Sequence, residues 1–253
     1  MPSIVQPAGV VTASFSSAGW SPVSSTTLAE PFIVCAASNV ATSRGRPTLT
    51  PASASDSKMM YANAGPLAES PVTASMAEKI ESYLGYGNQF GLRLHYSRED
   101  EPLGTGGALK LAEPLISDPV LVLNGDSYVE WSLVPMLQLL TAKEADLVIV
   151  LQAVADVTRY GTVALDPNSR VTQFVEKGAA AGPGLINAGV YLLRKQIVRG
   201  LPAGTAISLE RDVFPRLLDR RVYGLVCTGL FIDIGIPDDL RRAQSLLAAR
   251  PRR

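Results

Sequence analysis

Histidine is almost missing from this chain: His95, inside the alternating stretch "LRLHYS", is the only one in 253 residues. With no G-x-S-x-G either, a Ser-His-Asp hydrolase is excluded as a working reading, and His95 reads as a strand-face residue. Cysteine is nearly as scarce. Cys35 and Cys227 supply neither a disulfide framework nor zinc-ligand spacing. An excess of charge is lacking too, because 23 Lys and Arg balance 23 Asp and Glu. No electrostatic footprint for nucleic acid or an acidic membrane follows from that balance. The late arginines (Arg241, Arg242, Arg250, Arg252, Arg253) read as dipole compensation and solvated surface on a terminal helix. No apolar run is long enough to span a bilayer, and the start lacks the cationic and apolar regions of a signal peptide. The expectation is a cytoplasmic protein without nucleic-acid or membrane partners.

Charge is also missing locally. Of the 46 charged residues only six fall in 1–75: Glu30, Arg44, Arg46, Asp56, Lys58 and Glu69. The same segment holds 14 serines, against eight in the remaining 178 residues. Stretches such as "TASFSSAGWSPVSSTT" and "TLTPASASDS" have neither the helical nor the strand period, and only "FIVCAA" suggests a short strand. Residues 1–75 therefore read as an atypical Ser/Ala/Pro-rich segment, either disordered or translated from a shifted frame.

What is present begins at Met76. "MAEKIESYLGYG" reads as a helix capped by Gly85, "LRLHYS" as a strand, and "GTGGALKLAEPL" as a glycine-led helix. "PVLVLNGD" and "ADLVIVLQAV" read as buried strands flanking the helical "WSLVPMLQLLTAK". "GTVALDPNSRVTQFVEK" reads as a hairpin around "DPNS", and "GLINAGVYLLRK" as a strand. "SLERDVFPRLLDR" opens a helix at a Ser208 cap; "VYGLVC", "FIDIG" and the helix "PDDLRRAQSLLAA" complete the chain. This alternation predicts an α/β domain over 76–249: a Rossmann-like, mostly parallel sheet with a small antiparallel insertion.

Ligands of such sheets bind beyond the strands' carboxyl ends. The apolar run Val120–Leu123 delivers Asp126 there, and "FIDIG" delivers Asp233. Each acid alone reads first as a cap or turn residue. As a pair at neighbouring strand tips they suit a hard cation such as Mg2+, which prefers oxygen ligands and keeps waters that phosphate can replace. Gly104, Gly106 and Gly107, with Thr105 between them, allow close backbone approach to a ligand and a helix start that suits anionic groups. Glu176 and Lys177 in "FVEKG" fit sugar hydroxyls and a phosphate, or an edge-strand charge pair. Asn187 and Gly189 in "LINAGVY" fit a hydroxylated ligand, or a turn.

Six segments stand in one order: "EPLGTGGALKLAEPL", "VLVLNGDSY", "RYGTVALDPNSRVTQFVEKG", "GLINAGVYLL", "SLERDVFPRLL" and "FIDIGIPDDLRRAQ". As a set, covering about residues 76–246, they resemble the sugar-1-phosphate nucleotidyltransferases. The likeness is greatest to the D-glycero-D-manno-heptose 1-phosphate and mannose-1-phosphate guanylyltransferases. The resemblance implies attack of a sugar 1-phosphate oxygen on the α-phosphorus of an NTP, GTP favoured, giving an NDP-sugar and pyrophosphate. It implies Asp126 and Asp233 on Mg2+, Lys177 on the sugar phosphate, and Glu176, Asn187 and Gly189 around the sugar. Gly104, Thr105, Gly106 and Gly107 would lie against the base. The product would be a precursor of lipopolysaccharide or capsule; a homo-oligomer is compatible with the sequence but not specified by it.

The family's first strand should run into G-G-x-G-T-R-L, which cradles the triphosphate, with a P-K-P motif after it. Nothing in 1–75 matches either, and "QPAGVVTAS" is the nearest stretch. The other reading is thus a catalytically impaired homologue that binds sugar nucleotides without turnover. Loss of a central strand would leave buried backbone groups unpaired at about 1–3 kcal/mol each. A metal-dependent glycosyltransferase is a third reading, and "FVEKG" together with "FIDIG" argues against it.

Overall fold

A computed structural model of the chain describes residues 10–15, 32–36, 76–90, 92–175, 177–179, 181–235 and 237–248. The apolar runs predicted as buried strands become β4 (Val120–Asn124) and β6 (Leu147–Val154). Both are buried along nearly their whole length, so they carry apolar residues at consecutive positions and not at alternate ones. The pleat still sorts those side chains. Val120 and Val122 enter one core with Leu147, Ile149 and Leu151, whereas Leu121 and Leu123 enter the other with Val148 and Val150.

Among the described residues the main sheet runs β10-β6-β9-β4-β2-β1-β3. Its further members are β1 (Val10–Phe15), β2 (Phe32–Ala36), β3 (Leu92–Ser97), β9 (Gly184–Leu193) and β10 (Val222–Cys227). Strands β7 (Thr162–Leu165) and β8 (Val171–Val175) form the expected hairpin, attached to β9 through Thr162 and Ile186. The carboxylate of Asp166 accepts the N–H groups of Asn168 and Arg170, which closes its turn.

The α/β class is the one predicted, and its sheet is mixed. β10 with β6 and β2 with β4 pair in parallel, but β9 runs antiparallel between β6 and β4. The reason lies in the connection. From β6 the chain reaches β9 through a hairpin and no crossover helix, and without a crossover the returning strand must run the other way. β1 likewise runs antiparallel between β2 and β3. "FIVCA" is a strand as expected, and "VVTASF" is one as well. The β2 pairing beside β4 supplies the ladder whose loss the sequence suggested. The intervening stretches of 1–75, where the Ser-rich bias lies, fall outside the described residues.

Helices cover both faces. On one, Ala108 and Leu109 of α2 (Gly104–Leu111) and Ile197 and Val198 of α4 (Lys195–Arg199) pack with Leu209 and Phe214. On the other, Met136 and Leu140 of α3 (Leu133–Ala142) pack with Leu84 of α1 (Met76–Leu84). Gly85, at φ 54°, ends α1 as predicted. The helix expected at "SLERDVFPRLL" is a π-helical turn, Leu209–Val213, followed by a 3-10 turn, Phe214–Leu217. Pro215 has no N–H to continue an α-helix, and the Ser208 cap holds as Oγ accepts from Arg211 N–H at 3.2 Å. A two-stranded sheet stands apart: β5 (Ser127–Val129) pairs antiparallel with β11 (Phe231–Asp233), which leads into α5 (Pro237–Ala248).

Candidate active site at the carboxyl edge of the sheet

Strands β3, β4, β6 and β10 all end at one edge, and the predicted acids meet there. After β4 the chain turns through Gly125 and Asp126 and continues as β5, whose Ser127 stands opposite Asp233 in the ladder. The Asp126 carbonyl accepts the Ile234 N–H at 2.8 Å. The two acids are therefore stitched together through their backbones. The Asp233 carboxylate accepts the Gly235 N–H at 2.7 Å, and Ser127 Oγ lies 3.4 Å from Asp126 Oδ1.

Burial, and then the negative charge of Asp233, push the Asp126 carboxyl above its ordinary range. Ser127 and the Lys177 ammonium oppose the rise without cancelling it. Two hard oxygen donors with a surplus of negative charge make a site that a divalent cation would relieve. Among the described residues no third His, Cys, Asp or Glu joins them. Such a set fits a cation that keeps its other positions for water and phosphate oxygens. Lys177 is exposed, in the turn after β8, and its charge reaches Asp126. Glu176 lies outside the described residues.

Asn187 and Gly189 come to the same edge through a bulge in β9. Ile149 pairs with Tyr191, yet Leu151 pairs with Asn187, so β9 carries extra residues across from Val150. Gly189 sits in that bulge at φ 78°. A Cβ there would come within 3.0 Å of Asn124 Cβ and 3.2 Å of Ser127 Oγ, so only glycine fits. Asn187 Oδ1 accepts the Gly189 N–H at 3.0 Å.

The glycine-led helix start departs from expectation. Gly106 and Gly107 are buried, and both N–H groups bond to the Ile207 carbonyl at 2.8 and 3.3 Å. A Cβ on Gly107 would lie 2.4 Å from the Thr205 carbonyl oxygen. These two glycines admit the 205–207 segment of the chain itself, so their N–H groups are not the open anion cradle that the sequence suggested. Thr105 turns inward as well, donating to Glu210 at 2.8 Å. Gly104, at φ 67°, is the exposed member.

Some groups at this edge escaped the sequence reading. Arg159 Nη2 bonds Asp239 Oδ2 at 2.7 Å, joining the β6–β7 loop to the first turn of α5. Tyr160 beside it packs edge-to-face on Phe231 at 5.8 Å. "RYG" followed by "PDD" contains both partners, but nothing in their spacing brings them together. A polar cleft of about 630 Å3 lies at the opposite edge, by Asp118, Asp146, Arg194 and Arg221. Arg221 there pairs with Glu144 and Asp146, and no element of the predicted chemistry reaches it.

Comparisons with known proteins give the family to which this mixed α/β chain belongs. The chain belongs to the nucleotidyl transferase family, whose model matches residues 58–250. It is 40% identical over 173 residues to the D-glycero-alpha-D-manno-heptose 1-phosphate guanylyltransferase of Aneurinibacillus thermoaerophilus, covering 67% of this chain and 74% of that protein. The mannose-1-phosphate guanylyltransferase of Mycobacterium tuberculosis is 35% identical over 170 residues, 66% of this chain and 47% of that one. The chain thus spans about half the length of that mannose-type relative. HddC from Yersinia pseudotuberculosis, crystallised in complex with GMP-PN, superposes with a TM-score of 0.57 at 34% identity, over 68% of this chain and 75% of that one. Among the described residues no helix is long and apolar enough to cross a membrane.

Proposed function

We propose that this chain transfers a guanylyl group from GTP to a heptose- or mannose-type sugar 1-phosphate, releasing pyrophosphate, with Mg2+ held by Asp126 and Asp233. The observation that carries this is the pair of acids fixed side by side at the sheet edge, one of them held above its usual pKa by burial and then by the charge of the other. In the reaction an oxygen of the sugar 1-phosphate forms a bond to the α-phosphorus as the bond to the bridging β-phosphate oxygen breaks. The cation supplies charge neutralisation between the two anionic groups when bound. No protein nucleophile is required; positioning and charge do the work. Lys177 holds the sugar phosphate, while Glu176, Asn187 and Gly189 define the sugar side. Gly104 faces the base, and Thr105, Gly106 and Gly107 build the helix start that presents it. The cytoplasm, where NTPs and sugar phosphates are made, is the setting.

The test is pyrophosphate release that requires both GTP and the sugar 1-phosphate. Mn2+ binding followed by electron paramagnetic resonance checks the metal separately. Turnover unchanged in Asp126→Asn and Asp233→Asn would sink the assignment. A second reading rests on the missing glycine–arginine motif in 1–75: a homologue that retains the sugar-nucleotide side and binds GDP-sugar without turnover. Saturable GDP-mannose binding with no pyrophosphate release singles it out.

A further inference from the structure

Asn187 and Thr105 join a polar network whose other members, Tyr191, Glu210, Ser208 and Asn124, have no part in the proposed reaction. Tyr191 is wholly buried in β9, its ring edge-to-face on Phe214 at 4.8 Å. Its hydroxyl lies 2.9 Å from Glu210 Oε1, 3.0 Å from Asn187 Nδ2 and 3.5 Å from Asn124 Nδ2. The other Glu210 oxygen accepts the hydroxyls of Thr105 at 2.8 Å and Ser208 at 2.9 Å. One carboxylate thus gathers the start of α2, the turn after Ser208 and, through a phenol, the amides of two central strands.

The proton directions follow from chemistry. A carboxylate only accepts, so the Tyr191 hydroxyl must donate to Glu210 and its oxygen can then only accept. Burial and the Glu210 charge hold the Tyr191 pKa well above its ordinary value, so the proton stays in place. Both asparagines must therefore present NH2 to Tyr191. That orientation directs Asn187 Oδ1 to the Gly189 N–H, and it leaves the buried Asn124 Oδ1 without a hydrogen-bond partner among the described residues.

We propose that Glu210 is a positioning residue: through Tyr191 it fixes the amides of Asn187 and Asn124, and so couples the glycine-rich start of α2 to the sugar-phosphate side of the site. The functional half rests on the sugar-1-phosphate reading above; the orientational half rests on geometry alone.

The test uses the full chain with Y191F, E210Q and the double variant. Y191F keeps the ring on Phe214 and deletes the hydroxyl; E210Q keeps the shape and lets the side chain donate, so the chain of donors can reverse. In ligand-free protein the side-chain NH2 of Asn187 should exchange with solvent about tenfold faster in both variants, by NMR. Calorimetry with α-mannose 1-phosphate should give about tenfold weaker binding in Y191F, with GTP affinity within about twofold of the parent. E210Q, with its NH2 turned to Tyr191 and its oxygen still accepting from Thr105 and Ser208, should weaken the sugar phosphate more than GTP. The double variant should bind the sugar phosphate no worse than the weaker single variant.

Unchanged Asn187 exchange in Y191F overturns the proposal whether or not the protein binds any sugar. Equal losses for both ligands in Y191F overturn it too, because that is the pattern of general loosening. A parent that binds neither ligand sinks the functional reading, and the exchange measurement still decides the network. If E210Q fails to fold, Y191F decides alone.

Discussion

The two acids reach the same place by unlike means. Asp126 follows β4, a strand buried on both faces in the middle of the main sheet. Asp233 ends β11, a three-residue strand paired only with β5 and lying outside the main sheet. The core fixes the first. The second depends on local clamps: the Ile234 N–H on the Asp126 carbonyl, Phe231 on Tyr160, and Arg159 on Asp239. A site built this way has one rigid wall and one wall whose position is set by a few separable contacts.

Removing the acids themselves is the bluntest way to break that comparison. Asp126→Asn and Asp233→Asn should each cut pyrophosphate release by about a hundredfold or more, with little change in fold by circular dichroism. Changing the rigid wall comes next. Gly189→Ala places a Cβ against Asn124 at φ 78° and should cost about 1–2 kcal/mol of stability, read by thermal unfolding. Loosening the clamped wall should act on function with little effect on stability. Arg159→Ala and Asp239→Asn should raise the Mg2+ concentration for half-maximal rate about tenfold, while a half-exposed ion pair contributes only about 0–1 kcal/mol to folding. The exchange Arg159→Asp with Asp239→Arg should recover part of the loss; no recovery would mean that the pair does not act as a clamp.

The smallest effect separates charge from position. Asp126 has a raised pKa in the folded state. Its favourable contribution is fully present below the ordinary carboxylate pKa and is lost as pH rises through the raised folded-state value. In chelator, Asp126→Asn should therefore melt a few degrees higher than the parent at pH 7, with the difference vanishing in acid. Asp233→Asn should give a smaller gain, because it removes the facing charge and leaves Asp126 buried. A parent that is already the more stable at pH 7 would contradict the electrostatic account.

Much of this was legible in the chain. Consecutive apolar residues predicted β4 and β6, and the acids after two short apolar runs emerge next to one another. Other features were not legible, for identifiable reasons. The β9 direction depends on a connection without a helix, which periodicity does not report. "GTGG" has the composition of an anion loop, yet Gly106 and Gly107 are small because Ile207 and Thr205 press against them from more than 90 residues away. Tyr191 and Glu210 looked like ordinary members of a strand and a capped helix.

By itself, then, the sequence determined which strands are buried, where the carboxylates emerge and which family the ordered motifs resemble, because apolar periodicity and short motifs are local. Only the tertiary structure decided that Asp126 and Asp233 share a ladder, that Arg159 reaches Asp239, and that Glu210 answers to Tyr191. Those are contacts between distant segments. Hydrogen-bond direction and the repulsion between like charges come into being only when folding brings the partners within a few ångströms.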